Sequence, residues 1–215
     1  LAAAQKLARH GMNLCIVHRD RRGAMSRIED LFERIRGNGV KVVTFNLDGL
    51  SAEGRTRVLD SLTKAMGETD KIRMLLHAVA FGNLKLLAPS NASNAPKLAR
   101  GKIAEALNIS ERDIKAMVNN VFEGGAYALH TITDPPEYNS GQFLDKEDFS
   151  HTIHAMGSNI VEWVQDIFYR QLFAPDARIL SLTSEGNSIA WRGYAAVSAA
   201  KAALESVSRS MAVEF

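Results

Sequence analysis

Apolar positions along the chain follow two alternating spacings. Residues 1–10 set Leu1, Ala4 and Leu7, or Ala3, Leu7 and Ala8, three or four apart, which is one face of a helix. Gly11 follows at a usual stopping place. Residues 14–17 form a short apolar run and predict a buried strand. Residues 25–36 predict an amphipathic helix with Ile28, Leu31, Phe32 and Ile35 on one face. Residues 40–45 are rich in β-branched side chains and predict a second strand. Residues 51–66 predict a helix capped by Ser51. Residues 74–79 and 178–183 predict two further strands. Residues 145–173 predict one long helix punctuated by Gly157, and residues 194–215 an alanine-rich final helix.

Strand and helix in alternation predict an α/β fold: a Rossmann-type, doubly wound parallel sheet with helices on both faces. The expected organisation is one such domain over 1–215 with an insertion at about 83–143. Within that insertion the alternation lapses, Pro89, Pro96, Pro135 and Pro136 punctuate the chain, and residues 110–122 predict a helix. That helix carries Ile114, Met117, Val118 and Val121 on one face, so the insertion is read as a lid, a docking surface or a packed extension. Helical residues at both ends lack caps, and further residues are expected on both sides.

Composition narrows the function. The chain has 215 residues, with 26 Lys and Arg against 24 Asp and Glu. That balance excludes a nucleic-acid binder working by bulk charge. No apolar run approaches the roughly 20 residues that span a membrane, and residues 1–10 lack a signal-peptide pattern. The single cysteine, Cys15, excludes an internal disulfide and reads as a small buried hydrophobe. A cytoplasmic enzyme is the expectation.

The candidate chemistry lies between Ser184 and Lys201. Tyr194 and Lys201 are seven residues apart, two helical turns, and share one face. An ammonium near a phenol favours the phenolate and makes the phenol a better acid at neutral pH. A hydroxyl from Ser184 can bond the same reacting oxygen. Such a set delivers a proton to an oxygen that gains charge as hydride arrives.

These residues resemble the short-chain dehydrogenase/reductase family. Its common branch has Tyr-x3-Lys; this chain has Tyr-x6-Lys. Ser184 and Lys201 keep the common register, and the tyrosine lies back by nearly one turn from the place of Val197. The displaced tyrosine is similar to that of the enoyl-acyl-carrier-protein reductase branch. His77-Ala78-Val79-Ala80-Phe81 resembles that branch's His-Ser-Ile-Gly-Phe, and Lys201-Ala202-Ala203-Leu204-Glu205 its segment after the lysine. The family's relay asparagine falls near Met156 and is absent. Ser184 stands where many enoyl reductases carry a second tyrosine. The family's Gly-rich phosphate loop would precede Leu1.

The resemblance implies a reductase of an α,β-unsaturated fatty acyl thioester, on acyl carrier protein or coenzyme A. Tyr194, Lys201 and Ser184 are then catalytic, with Phe81 and Tyr194 on the substrate. His18, Arg19, Asp48, Ala78, Val79, Ala80 and Lys201 then hold the cofactor. Arg19, Arg21 and Arg22 after the second strand suit a 2′-phosphate, which favours NADPH, with NADH possible because Asp20 is near. A carbonyl or β-ketoacyl reductase, or a non-catalytic binding protein on this fold, are the alternatives. A homo-oligomer, tetramer or dimer, is expected, without nucleic acid, membrane or metal. Asp148, His151 and His154 share a helix face but read as ordinary helix residues.

Overall fold

The structure is a computed structural model that describes residues 1–88, 95–123, 141 and 143–215. It divides into two compact units, Leu1–Asn83 with Lys146–Phe215, and Leu84–Asp145.

In the first unit, α1 (Ala2–Arg9) leads to β1 (Leu14–His18), α2 (Met25–Arg36), β2 (Val42–Asn46), α3 (Ala52–Ala65) and β3 (Ile72–His77). β1 and β2 are parallel, with Leu14 opposite Val42 and His18 opposite Asn46. Alternation along the strands sorts their side chains onto two faces. Leu14, Ile16 and Val42 pack with Ala8, Ile28, Phe32 and Ile35 of α1 and α2. Cys15, Val17 and Phe45 point the other way, into a cluster with Val58, Leu59, Trp163 and Ile167. The Cys15 thiol is half-buried there, and burial pushes its pKa up to about 11. Ser51 caps α3 as expected, its Oγ accepting from the Gly54 N–H at 3.0 Å.

The unit resumes with α6 (Lys146–Ile153), a wide π turn (His154–Ser158) and α7 (Asn159–Tyr169). The single long helix expected over 145–173 is thus interrupted at Gly157. The cause is packing: a Cβ on Gly157 would stand 2.8 Å from the Ala200 carbonyl oxygen. The missing side chain lets the final helix approach, and the widened turn absorbs the extra residue. β4 (Phe173–Ser181) and α8 (Ala195–Glu214) complete the unit. β3 and β4 are parallel, with Met74 opposite Arg178 and His77 opposite Ser181. Leu75 and Ile179 pack under Ile160 and Val164 of α7 and Leu204 and Met211 of α8.

Three expectations need correction. β4 starts at Phe173, not 178, and ends at Ser181, because its register shifts opposite Ile72 and Met74. Pro175, which cannot donate to a ladder, sits in that irregular stretch. β3 spans Ile72–His77 rather than 74–79, so Ala78 and Val79 leave the strand. The described strands form two parallel pairs, β1–β2 and β3–β4, rather than one continuous ladder. What joins the pairs is side-chain packing: Cys15 and Val17 share one apolar cluster with Ile72, Leu75 and Phe173. Parallel strands covered by helices on both faces remain the architecture.

The second unit holds α4 (Ala95–Leu107) and α5 (Glu111–Glu123). Ser110 caps α5, its Oγ accepting from the Asp113 N–H. Ile114 and Val118 are buried, and Arg100 is buried beside Glu111. Asn108 takes the left-handed conformation, φ 51°, in the turn between the helices. α4 was not expected. Pro96 reads as a breaker, yet it falls in the first turn, where its missing N–H has no partner to lose. Pro89, Pro135 and Pro136 lie outside the described residues.

Candidate active site

The candidate residues follow the C-terminal ends of parallel strands, where open α/β sheets bind their ligands. His18 ends β1, with Arg19 and Asp20 next. Asp48 follows β2, Ala78–Phe81 follow β3, and Ser184 follows β4.

After β4 the chain makes a single 3₁₀ turn over Glu185–Asn187, capped by Ser184, and then enters α8 at Tyr194. Ser184 Oγ lies 3.2 Å from Tyr194 Oη. Gly186 donates its N–H to Ser184 Oγ at 3.3 Å. The Tyr194 ring lies against Gly186, where a Cβ would overlap its Cδ1 and Cε1 atoms. On another side the ring meets Trp191 edge-on, centroids 5.2 Å apart. Met156, Val197 and Val79 pack with it. Met156 is therefore an apolar support for Tyr194.

Lys201 is only 5% exposed. Its ammonium donates to the Leu182 carbonyl at 2.7 Å, two residues before Ser184. Burial holds its pKa below the ordinary lysine value. The Ser–Tyr pair and the buried ammonium thus flank one strand end.

His77 is 6% exposed at the end of β3. Burial lowers its pKa, and the Lys201 charge lowers it further, against a raising contribution from Asn159. Asn159 is fully buried at the start of α7. His77 entered the sequence reading only as the first residue of a motif and Asn159 not at all, because their burial depends on how α7 crosses β3. The titration has a testable sign. The unfolded state protonates His77 near pH 6.5, while the folded state resists until lower pH. Stability therefore falls as pH drops through that window and is recovered as pH rises. Replacing His77 with Phe is expected to flatten that part of the stability–pH curve, measured by urea unfolding between acid and neutral pH. An equally steep curve in the variant would reject His77 as its source.

At the other strand ends, Arg19 Nη1 meets Asp48 Oδ2 at 3.0 Å, so two residues read separately form one exposed ion pair. Asp48 Oδ1 also accepts the Leu50 N–H. The loop after β2 is held from behind: the Gly49 carbonyl accepts from Trp163 Nε1 at 3.0 Å, and the Leu50 carbonyl from the buried Arg55. Arg55 in turn pairs with Glu162 and Asp166. His18 turns inward: Nδ1 lies 2.9 Å from Asp20 Oδ2 and the ring packs on Phe32. Asn46 pins Asp20 by bonding both its N–H and its carbonyl.

Ala78 and Ala80 are exposed and carry only methyl groups, so a planar ligand can lie along this backbone. Phe81 is 54% exposed, and its ring meets His151 edge-on at 5.2 Å. Of the other residues on that helix face, Asp148 accepts from Asn83, and His154 lies 2.7 Å from Glu162. Among the described residues no group of three or more His, Cys, Asp or Glu is placed to hold a metal ion. No described helix is long and apolar enough to cross a membrane.

Residues 110–215 match a sequence model described as Enoyl-(Acyl carrier protein) reductase. No curated protein sequence matches the chain. Among solved structures, a double mutant of a Serratia marcescens short-chain dehydrogenase/reductase superposes with TM-score 0.63 at 13% identity, over 99% of this chain and 62% of that one. A 3-oxoacyl-[acyl-carrier protein] reductase from Brucella melitensis gives 0.59 at 14% identity, over 98% and 63%. An enoyl-(acyl-carrier-protein) reductase from Anaplasma phagocytophilum in complex with NAD gives 0.56 at 18% identity, over 98% and 58%. The chain spans less than two thirds of each, and at these identities they share its Rossmann fold. The sequence match over residues 110–215 and the shared Rossmann-type fold make the chain similar to short-chain dehydrogenase/reductases.

Proposed function

We propose that this chain carries the reducing centre of an NADPH-dependent oxidoreductase acting on an α,β-unsaturated fatty acyl thioester. The observation that carries the reading is the 3.2 Å contact between Ser184 Oγ and Tyr194 Oη at the head of α8, with Lys201 buried two turns on. When bound, the reduced nicotinamide supplies hydride to the β-carbon of the thioester. Tyr194 hydrogen-bonds the enolate oxygen and donates its proton. Ser184 bonds the tyrosine oxygen and orients that donation. Lys201 has three donors, one of them on Leu182. The other two suit the nicotinamide ribose hydroxyls. Ala78, Val79 and Ala80 line the cofactor's reacting end, and Phe81 borders the acyl chain. The thioester is carried on acyl carrier protein or coenzyme A.

The Arg19–Asp48 pair supports NADPH, because a 2′-phosphate can take over a guanidinium already aimed between β1 and β2. Arg19→Ala is expected to raise KM for NADPH roughly ten-fold while leaving that for NADH within about two-fold. Equal changes for both cofactors would remove Arg19 from the phosphate. His18, turned onto Asp20 and Phe32, supports this edge from beneath.

A second reading is a carbonyl reductase. Ser184 favours it, since a serine–tyrosine pair suits two hydrogen bonds to a ketone oxygen. Cofactor oxidation with a trans-2-enoyl thioester and, separately, a β-ketoacyl thioester decides between the two. Turnover of the enoyl substrate alone supports the first reading, and turnover of the keto substrate alone the second. Cofactor binding without turnover of either would leave a binding protein on a reductase fold.

A further inference from the structure

One stripe of α8 runs through Tyr194, Ser198, Lys201 and Glu205, at intervals of four, three and four residues. All four side chains reach the segment 182–187. Tyr194 meets Ser184, Ser198 Oγ donates to the Gly186 carbonyl at 2.5 Å, and Lys201 donates to the Leu182 carbonyl. Glu205 makes the fourth tie, and it alone grips both flanks of Ser184. Its Oε1 accepts from Thr183 Oγ1 at 2.5 Å and from Asn187 Nδ2 at 2.5 Å. The segment between these anchors has little order of its own. It is one 3₁₀ turn, in which Asn187 donates to the Ser184 carbonyl and Gly186 to the Ser184 side chain.

We infer that Glu205 is a positioning residue: by tying Thr183 and Asn187 to α8, its carboxylate fixes the turn that sets the Ser184 hydroxyl on the Tyr194 oxygen. Glu205 touches no reacting atom in this arrangement. Its effect passes through the placement of Ser184, and the kinetic part of the inference rests on the reading of Ser184 and Tyr194 as the reacting pair. What the geometry requires of residue 205 is an acceptor oxygen, not a charge, because both partners are donors. A glutamine therefore serves where an alanine does not.

The test uses Glu205→Ala and Glu205→Gln in the protein, read first by amide hydrogen exchange. In Glu205→Ala the Gly186 and Asn187 amides are expected to exchange at least roughly ten-fold faster, with the β3 amides unaffected. Glu205→Gln is expected to stay within about three-fold of the parent at both. Turnover with the preferred thioester should follow, kcat falling about ten-fold in Glu205→Ala with KM for the cofactor within about two-fold, and recovering in Glu205→Gln. Thr183→Val with Asn187→Leu removes both donors without touching α8. It should reproduce the alanine result even if Glu205→Ala does not fold. Unchanged exchange at Gly186 and Asn187, in Glu205→Ala or in the donor-less variant, would overturn the inference. So would a glutamine variant as impaired as the alanine one. Exchange needs no substrate, so a protein inactive on both thioesters defeats the functional reading while leaving this one tested.

Discussion

Tyr194→Phe is expected to lower kcat/KM by about 10²–10⁴-fold, the usual worth of a positioned general acid. The argument is geometric. The substitution removes one oxygen and keeps the ring, so the packing with Met156, Val197, Val79 and Trp191 survives. The lost group is the one that Ser184 Oγ approaches at 3.2 Å. Folding and cofactor binding should therefore stay near the parent values, and the loss should fall on kcat. Ser184→Ala is expected to lose less, because the tyrosine keeps its proton and loses only its orienting partner. The measurement is steady-state oxidation of the reduced cofactor with each thioester, beside cofactor binding by fluorescence. Full turnover of an accepted substrate by Tyr194→Phe would end the reading of this residue as the acid.

Gly186→Ala is expected to damage both stability and rate while leaving every polar residue in place. The added Cβ falls on Cδ1 and Cε1 of Tyr194. The ring is already in contact with Trp191 and with the Met156–Val197 cluster. The turn over 185–187 must then move, yet Ser198 holds its Gly186 carbonyl and Glu205 holds its ends. Overpacking of this sort costs about 1–3 kcal/mol, a fall in Tm of roughly 2–4 °C per kcal/mol at this size. The same displacement separates Ser184 from Tyr194, so kcat should fall by about 10–10²-fold. Combined with Tyr194→Phe the rate losses should not multiply, because both act on one hydrogen bond. An unshifted Tm in Gly186→Ala would mean that the ring and the turn part without cost.

The sequence led to this place by two kinds of regularity. Short apolar and β-branched runs marked β1 and β2, since those strands have a helix on each face. Helical spacing marked α2 to its last residue and brought Tyr194 and Lys201 to one side of α8. The neighbouring Ser198 and Glu205 obey the same spacing, so the stripe was open to reading from positions 194–205 alone. The partners of that stripe were not, because they lie on a short turn whose path no periodicity describes. Nor was the Arg19–Asp48 pair, which joins two strand ends 29 residues apart and needs the parallel register of β1 and β2. His77 and Asn159 meet only because α7 covers β3. α4 escaped because Pro96 is a breaker inside a helix and harmless in its first turn. The start of β4 escaped because Pro175 lies in a shifted stretch that interrupts the regular pattern.

The ladder between β3 and β4 pairs Ile72 with Phe173, so forming it closes a loop of about a hundred residues. The segment Leu84–Asp145 makes up more than half of that loop. Closure entropy grows only with the logarithm of length, about 0.6 kcal/mol for each doubling. Shortening or lengthening that segment by tens of residues therefore changes the barrier to joining the two strands by less than about 1 kcal/mol. β1 and β2 are linked by one helix, so their pairing closes a far shorter loop than that of β3 and β4. Evolution is accordingly free to rewrite the length of this excursion without slowing the assembly of the strands on either side of it.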